Sequence, residues 1–300
     1  MTEGKRIAML EPPSGKVSII LDTDAACEVD DQYAIAYAVR AAEAGELILE
    51  GIHATLSCPD VAAGMERNYQ EILKVLDLMH SPAYKEKTYR GPTRKFNKNK
   101  EPEMSDAVKH LIEVANDETR EGPLYVVAIG AGTNIANALV AAPEIKEKIV
   151  LVWLAGNSLH HPHVYECNFL QDTCAGDYLF DCGVPMVLLP AFNVMTGLST
   201  TVYELEYYLS GKNEICDYLL QLVKDYREKT KVEWEAWSKV IWDIGGVAYI
   251  LHPEWFETRL VPTPIIGANW GSDPTRPTMR ICDFVKRDFV FTDVFNKITK

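Results

Sequence analysis

Short apolar stretches alternate with stretches of helical periodicity along the first two thirds of the chain, and this alternation restricts the fold more than any other feature. The stretches VSIILD, PLYVVAIG, KIVLVWLAG and VPMVLLP are typical of strands that are buried on both faces. Apolar residues recur at helical spacing between them. The pattern predicts an α/β protein with a mostly parallel central sheet covered by helices on both faces.

The two ends of the chain depart from this pattern. From Val202 onward we expect helical additions, with helices over residues 214–228 and 232–249. Residues 1–15 show little periodicity, so we expect a flexible N-terminal arm. Because the remainder contains no internal repeat and no linker, residues 16–300 are predicted to form one domain.

The charge of the chain restricts its partners. Thirty lysines and arginines stand against 43 acidic residues, a formal net charge of -13, which argues against nucleic acid or an anionic membrane surface as partner. The sequence shows neither the apolar core of a signal peptide nor the roughly 20 apolar residues of a membrane span, so we expect a cytoplasmic protein. Most of the seven widely spread cysteines are expected to be small reduced core residues rather than zinc ligands.

A cluster of acidic residues follows the first predicted strand: Asp22, Asp24, Glu28, Asp30 and Asp31. A favourable helix dipole explains acids at a helix start, but not two aspartates at alternate positions at the end of a buried strand. Carboxylates this close raise one another's pKa unless a cation offsets the repulsion. The cluster therefore predicts a hard-cation site, and oxygen donors favour calcium or magnesium over zinc.

Further polar residues follow other strands, at the sheet edge where ligands bind in such folds. GAGTN contains Asn134, AGN ends in Asn157, and ECN holds Glu166 and Asn168, which would face one way in an extended backbone. This spacing suits a grip on vicinal hydroxyls. Helix caps and an ordinary loop are the alternative interpretation of the same residues.

A D-x-D at a strand end also occurs in magnesium-dependent phosphohydrolases, which use the first aspartate as a nucleophile. Those enzymes also need a downstream lysine and a second acidic pair. The amides of GAGTN and ECN suit neutral hydroxyls better than phosphate. A phosphohydrolase is therefore the third interpretation of the chain.

Together these blocks resemble the nucleoside hydrolases, the inosine-uridine family of N-ribohydrolases. The similar blocks are LDTD with the Asp30-Asp31 pair, AIGAGTNIANAL, AGN with ECNFLQD, and VIWDIGGVAYIL, in this order over about residues 17–260. The resemblance implies hydrolysis of the N-glycosidic bond of ribonucleosides to free base and ribose, in nucleoside salvage. It also implies a homodimer or homotetramer.

The resemblance further implies a calcium site and a mechanism. Asp24, Asp31 and Asp243 would coordinate one Ca²⁺ together with the main-chain carbonyl of Thr133. Asp24 would also act as general base toward the calcium-bound water, which attacks C1′ of the ribose with inversion.

The resemblance assigns the ribose hydroxyls and the 5′ end to four residues: Asp30, Asn157, Glu166 and Asn168. Two histidines of the loop SLHHPHVYE, His161 and His163, are further candidates, as an acid or a hydroxyl contact. A His-rich surface loop without a role is the alternative.

Trp242 stands directly before Asp243, where many members of the family carry a histidine that protonates the leaving base. Tryptophan is not an acid, and this variant resembles the purine-preferring branch, in which aromatic stacking assists protonation of the base. We therefore assign Trp242 a catalytic role and expect purine ribonucleosides as substrates. Trp153 and Phe96 are candidates for a second aromatic face.

Two departures from the family pattern favour an alternative function. Five residues, 25–29, separate D-x-D from the D-D pair where the family usually has three, and they include Glu28. After the second strand, Ser57, Cys58 or Asp60 stands where an Asn usually contacts the sugar. The alternative is a catalytically impaired member that binds ribosides or related sugars.

Overall fold

The computed structural model describes residues 1–231 and 233–300. The helices of this part are α1 (Glu3–Met9), α2 (Asp31–Glu43), α3 (Val61–Leu78), α4 (Asp106–Ala115), α5 (Thr133–Ala141), α6 (Cys167–Gln171), α7 (Thr173–Asp181), α8 (Val202–Leu209), α9 (Glu214–Thr230), α10 (Ile244–Leu251) and α11 (Arg287–Ile298). Its strands are β1 (Ser18–Thr23), β2 (Ile48–Ala54), β3 (Thr88–Arg90), β4 (Leu124–Ala128), β5 (Ile149–Leu154), β6 (Met186–Leu189), β7 (Ser199–Thr200), β8 (Lys239–Val240), β9 (Phe256–Pro262) and β10 (Thr278–Val285).

Eight of these strands form the central sheet, in the order β3-β2-β1-β4-β5-β6-β10-β9. Neighbouring strands are parallel except for β9, which pairs antiparallel with β10 at one edge. β7 and β8 form a separate antiparallel pair. The predicted α/β fold with a mostly parallel sheet is confirmed.

The sheet separates two hydrophobic cores, as expected for strands that are apolar at every position. Ile19 and Leu21 of β1 pack with residues of α2, α9, α10 and α11, whereas Ile20 packs with residues of α4, α5 and α7. Because side chains of a strand alternate between faces, both sides of the sheet need a helical layer. None of the described helices is both long enough and apolar enough to cross a membrane.

The N-terminal residues, expected as a flexible arm, contain helix α1 and pack against the sheet. Leu10 is fully buried. Arg6 donates from Nη1 to the Gly183 carbonyl over 2.7 Å, and Arg280 donates from Nε to the Leu10 carbonyl over 2.6 Å. These long-range bonds position a stretch whose own sequence shows little periodicity. The boundary at residue 16 stays a prediction.

The helix predicted over residues 232–249 is wrong for most of its length. Val232 lies outside the described residues, residues 239–240 form β8, and α10 begins only at Ile244. Trp237 and Ile241 pack against the core from non-helical backbone, and the Ile241 amide donates to the Leu198 carbonyl over 2.8 Å. Tertiary contacts with the β7 region thus override local periodicity.

Candidate active site

Four aspartates meet beyond the carboxyl end of the central sheet. Asp24 follows β1, Asp30 and Asp31 stand at the start of α2, and Asp243 directly precedes α10. Carboxylate oxygens of Asp30, Asp31 and Asp243 all lie within 4.8 Å of one another. The four side chains are between 2% and 4% exposed, so water screens their charges poorly.

Burial and mutual repulsion raise the pKa of each of these carboxyl groups. Desolvation raises the pKa of Asp24 and Asp30 to about 6, against a hydrogen bond from Gln171 to Asp24 and the positive charge of Lys239 near Asp30. Desolvation and then the neighbouring carboxylates raise the pKa of Asp31 and Asp243 well above the usual value. The four groups cannot all ionise unless a cation compensates them. This donor set of oxygens fits a hard cation.

Two buried hydrogen bonds, on the side of the cluster away from the cavity, hold the aspartates in place. The Thr23 hydroxyl donates to Asp31, and Asn134 donates from Nδ2 to Asp22 over 2.7 Å. Asn134 also reaches the Ala54 carbonyl at 3.3 Å, which ties β1 to the end of β2. Asp22 and Asn134 therefore support the site without facing the cavity.

A cavity of about 260 Å³ opens in front of the aspartates. Its wall consists of residues at or near seven strand ends and helix starts, namely Asp24, Cys27, Glu28, Asp30, Asp31, Ile129, Leu154, Glu166, Cys167, Asn168, Ala191, Phe192, Trp242 and Asp243. Seven of the predicted site residues are among them: Asp24, Asp30, Asp31, Glu166, Asn168, Trp242 and Asp243.

Glu166 and Asn168 are held rigidly on this wall. The Glu166 carboxylate accepts from the amides of Phe169 and Asn168 over 2.7 and 2.9 Å, which caps α6. Burial raises the pKa of Glu166 to about 7. Asn168 donates from Nδ2 to the carbonyls of Ile129 and Leu154, 3.0 and 2.9 Å away, so it bridges the ends of β4 and β5. Glu166 therefore caps a helix and lines the cavity at the same time, so the two interpretations do not exclude each other.

Thr133 is not brought into the cavity. Its hydroxyl donates to Asp172 over 2.7 Å, and its carbonyl accepts from Asn137 over 2.9 Å within α5. Ile129, four residues earlier, lines the cavity and its carbonyl contacts Asn168. Ile129 rather than Thr133 is therefore the residue of this segment that lines the cavity, at the point where β4 has ended and α5 has not begun.

Asn157, His161 and His163 also stay outside the cavity wall. Asn157 is fully buried and donates from Nδ2 to the carbonyls of His163 and Tyr165, 2.9 and 3.2 Å away, so it holds the loop after β5 in shape. The His161 ring stacks on Phe192, with centroids 6.3 Å apart. The histidines thus support an aromatic residue of the cavity rather than the cavity itself.

Two aromatic side chains line the cavity, Trp242 and Phe192. Sequence reasoning missed Phe192, although it follows β6 at the same sheet edge as the other site residues. Trp153 and Phe96 are 0% and 3% exposed and belong to the core, so neither forms a second face for a base. Phe192 is the second aromatic residue on the cavity wall.

Glu28 of the long β1–α2 segment contacts residues that are distant in sequence. Its carboxylate accepts from the Tyr226 hydroxyl over 2.9 Å and pairs with Lys239 Nζ at 3.0 Å. The same ammonium lies 4.3 Å from the centroid of the Trp242 ring. Lys239 therefore connects the extra residues of this segment to the aromatic wall, and it covers one face of the indole.

Replacing Lys239 with Met is expected to lower the free energy of unfolding by about 1–3 kcal/mol, because Glu28 loses its buried partner. We expect a destabilisation near the lower limit of this range, because Glu28 is itself 33% exposed and water partly screens its charge. Urea denaturation measures the change, and a double-mutant cycle with Glu28→Gln isolates the pair.

Lys224→Met is the matched control. Lys224 also forms an ion pair, with Glu206 at 2.7 Å, but both of these side chains are more than a third exposed, at 35% and 44%. Such a surface pair contributes about 0–1 kcal/mol. If Lys239→Met destabilises the protein no more than Lys224→Met, the ion pair does not hold the segment.

The sequence matches a known family over most of its length. Residues 19–292 match the family described as inosine-uridine preferring nucleoside hydrolase. Pyrimidine-specific ribonucleoside hydrolase RihA of Enterobacter sp. (strain 638) is 24% identical over 208 residues, which are 66% of this chain and 62% of the relative. RihA of Escherichia coli O1:K1 / APEC is 26% identical over 167 residues, 52% of this chain and 51% of the relative. The chain thus spans about half to three fifths of these relatives.

Solved structures share the fold over nearly the whole chain. A purine-preferring ribonucleoside hydrolase from Gardnerella vaginalis has a TM-score of 0.75 and 23% identity, with 94% of this chain and 98% of that chain covered. An inosine-uridine preferring nucleoside hydrolase from Bacillus anthracis has a TM-score of 0.70 and 16% identity, with 95% and 99% covered. On the family match over residues 19–292, the chain belongs to the inosine-uridine preferring nucleoside hydrolase family.

Proposed function

We propose that this protein hydrolyses the N-glycosidic bond of ribonucleosides and releases free base and ribose. The observation that carries the proposal is the set of four buried aspartates beside a cavity whose wall also bears Glu166, Asn168 and two aromatic side chains. A site that binds and hydrolyses a ribonucleoside needs ligands for a cation, acceptors for the ribose hydroxyls and an aromatic face for the base. Family membership supports the same activity.

We assign the cation ligands to Asp24, Asp31, Asp243 and the carbonyl of Ile129. Calcium suits this set, because the donors are all oxygens and they come from irregular positions in three segments. When bound, Ca²⁺ would supply the positive charge that lets the aspartates ionise together and that makes a nearby water more acidic.

Asp24 is the proposed general base. Its carboxylate lines the cavity beside the other proposed ligands, so it can accept a proton from an attacking water that the cation would make more acidic. Gln171 donates to the same carboxylate and orients it. The water attacks C1′ of the ribose as the bond to the base breaks, which inverts the configuration there.

Asp30, Glu166 and Asn168 are the proposed contacts to ribose hydroxyls, since all three line the cavity. Carboxylates accept from hydroxyls, and the Asn168 side chain both donates and accepts. The resemblance also implies a ribose contact for Asn157. In this proposal Asn157 acts indirectly, because its hydrogen bonds hold the loop after β5 in shape. The arrangement should favour ribonucleosides over their 2′-deoxy analogues.

The aromatic wall supports a purine as the leaving base. Among residues 1–231 and 233–300, no histidine lines the cavity, so stacking by Trp242 replaces a protonating side chain. A base on the free face of Trp242 would gain about 0.5–1.5 kcal/mol from stacking. The two curated relatives are named pyrimidine-specific and the Gardnerella enzyme purine-preferring, so relatedness alone does not choose the base.

Trp242→Ala is expected to lower kcat/KM for inosine and guanosine by about 2- to 10-fold while calcium affinity stays within about twofold, because the indole would contact the base but not the cation. Base release by chromatography and calorimetric titration with Ca²⁺ measure the two effects. Trp234→Ala is the matched control, since Trp234 is 66% exposed and lines no part of the cavity. Wild-type purine turnover in Trp242→Ala would refute the stacking role.

A second candidate function is riboside binding without efficient turnover. It is favoured by one observation: residues 55–60, after β2, do not contribute to the cavity wall, so the ribose contact usual in the family at this point is missing. Calorimetry that detects nucleoside binding in the presence of Ca²⁺, together with no base release over the same period, would establish this function.

A magnesium phosphohydrolase is disfavoured by the charge of the cavity. Among the described residues, no lysine or arginine lines it, so a phosphate would meet carboxylates alone. Phosphate release from a panel of nucleotides tests this interpretation directly. The homodimer or homotetramer implied by the family and the cytoplasmic location stay predictions.

A further inference from the structure

Two cysteines line the cavity of the proposed active site. Cys27 belongs to the β1–α2 segment and Cys167 begins α6, and both line the cavity. Both are exposed, as are Cys58 and Cys174, whereas Cys216 and Cys282 are buried. The expectation that most of the cysteines are core residues is therefore wrong, because four of the seven are exposed.

The two thiols lie close to the same glutamine, so they are near neighbours on the cavity wall. Gln171 Nε2 lies 3.9 Å from the Cys27 sulfur and 4.0 Å from the Cys167 sulfur, and it donates to Asp24. The pair thus adjoins the proposed proton acceptor.

We propose that Cys27 and Cys167 are an oxidation site at which a hydroperoxide forms a reversible disulfide inside the cavity. One thiol sulfur attacks a peroxide oxygen, the O–O bond breaks, and a sulfenic acid and an alcohol or water result. The second thiol then attacks the sulfenic sulfur and displaces water. The hydroperoxide takes up two electrons, and the two thiols lose two hydrogens.

The disulfide would change the geometry of the site. Its formation draws the two sulfurs to about 2 Å from each other, and so joins the β1–α2 segment to the start of α6. That segment carries Asp24 at one end and Asp30 at the other, and Gln171 ends α6. A shift of Cys27 therefore moves the proton acceptor and a proposed ribose contact together. The effect on turnover rests on the proposed function, whereas the cross-link itself does not.

Treatment of the full-length protein with hydrogen peroxide, in the presence and absence of Ca²⁺, tests the proposal. We expect the intact mass to fall by two hydrogens before alkylation, two fewer thiols to be alkylated afterwards, and peptide mapping to show Cys27 linked to Cys167. Base release should fall by about tenfold or more and return with dithiothreitol, because displacements of about 1 Å at such a site cost comparable factors.

Two variants make the result specific. Cys167→Ser should form no such cross-link, and peroxide should cause no dithiothreitol-reversible loss relative to its own untreated activity. Cys174→Ser, on the exposed part of α7, should cross-link as wild type does.

The proposal is overturned if Cys27 and Cys167 oxidise separately to sulfinic acids, or if either links mainly to Cys58, whose sulfur lies 3.5 Å from the Gln171 carbonyl. A cross-link in a protein that releases no base would instead refute the proposed function and leave the oxidation site standing.

Discussion

An Asp24→Asn protein is expected to lose ribonucleoside turnover by about a thousandfold or more, because the substitution removes a general base and a cation ligand together. Asp24 is 3% exposed and lines the cavity beside Asp31. Asparagine has nearly the same shape and can still accept the hydrogen bond from Gln171, so the fold should persist. Base release from inosine and calorimetric titration with Ca²⁺ measure the two losses.

Asp106→Asn is the matched control for this variant, since Asp106 opens α4 and its side chain is 71% exposed. It should keep wild-type turnover and calcium affinity. If Asp24→Asn retains more than about a tenth of the turnover, Asp24 is not the base. If it binds Ca²⁺ as wild type does but is inactive, Asp24 takes the proton without being a ligand.

Removal of the cation is expected to make folding stability strongly dependent on pH. In the metal-free protein, the pKa of Asp24 and Asp30 is about 6, above the ordinary value of 3.8 that an unfolded chain would show. The stability from these groups is therefore fully present below about pH 4 and is lost as the pH rises through about 6. Each group accounts for a change on the order of 3 kcal/mol before coupling between them is considered.

Calcium should cancel this loss, because its charge lowers the pKa of the ligands that it binds. We therefore expect the stabilisation by Ca²⁺ to be larger at about pH 8 than at about pH 5 by several kcal/mol. Urea denaturation in chelator and in excess Ca²⁺ at the two pH values measures it. A chelated protein whose stability rises between these pH values would contradict the cation site.

Asp31→Asn provides the internal control for the pH experiment. It removes one of the buried charges, so its chelated form should lose less stability as the pH rises. Calcium should no longer stabilise it. Retained calcium stabilisation in Asp31→Asn would place the cation elsewhere.

The strand ends explain why much of the site can be predicted from the sequence. Asp24 and Asp31 flank a strand and a helix whose apolar patterns are clear, and parallel strands bring such positions to one edge, whereas Asp243 is found through the family resemblance. Glu166 and Asn168 follow β5 in the same way. The residue type and its place after a strand together carry this information.

Backbone direction is less accessible to sequence reasoning, as Thr133 and Ile129 show. The two residues are four positions apart, but α5 begins at Thr133 and directs its carbonyl to Asn137, whereas Ile129 lines the cavity. Any residue type supplies the same carbonyl. Only the bounds of the helix decide which of the two faces a cation.

Long-range partners are the other limit, as Glu28 and the His161 loop show. Glu28 pairs with Lys239, 211 positions away, and no local sequence pattern predicts such a contact. His161 is a typical candidate acid by residue type, but its loop folds so that the ring supports Phe192. In both cases tertiary packing sets the role of a titratable side chain.

The most direct test of the account is the reaction of the calcium-loaded protein with inosine in water enriched in heavy oxygen. The account predicts release of free hypoxanthine, incorporation of the heavy oxygen at C1′ of ribose, and first-formed ribose of inverted configuration, all lost in chelator and in Asp24→Asn. Guanosine and uridine, tested in parallel, report the base preference. No base release from any of these ribonucleosides with Ca²⁺ present would contradict the central claim.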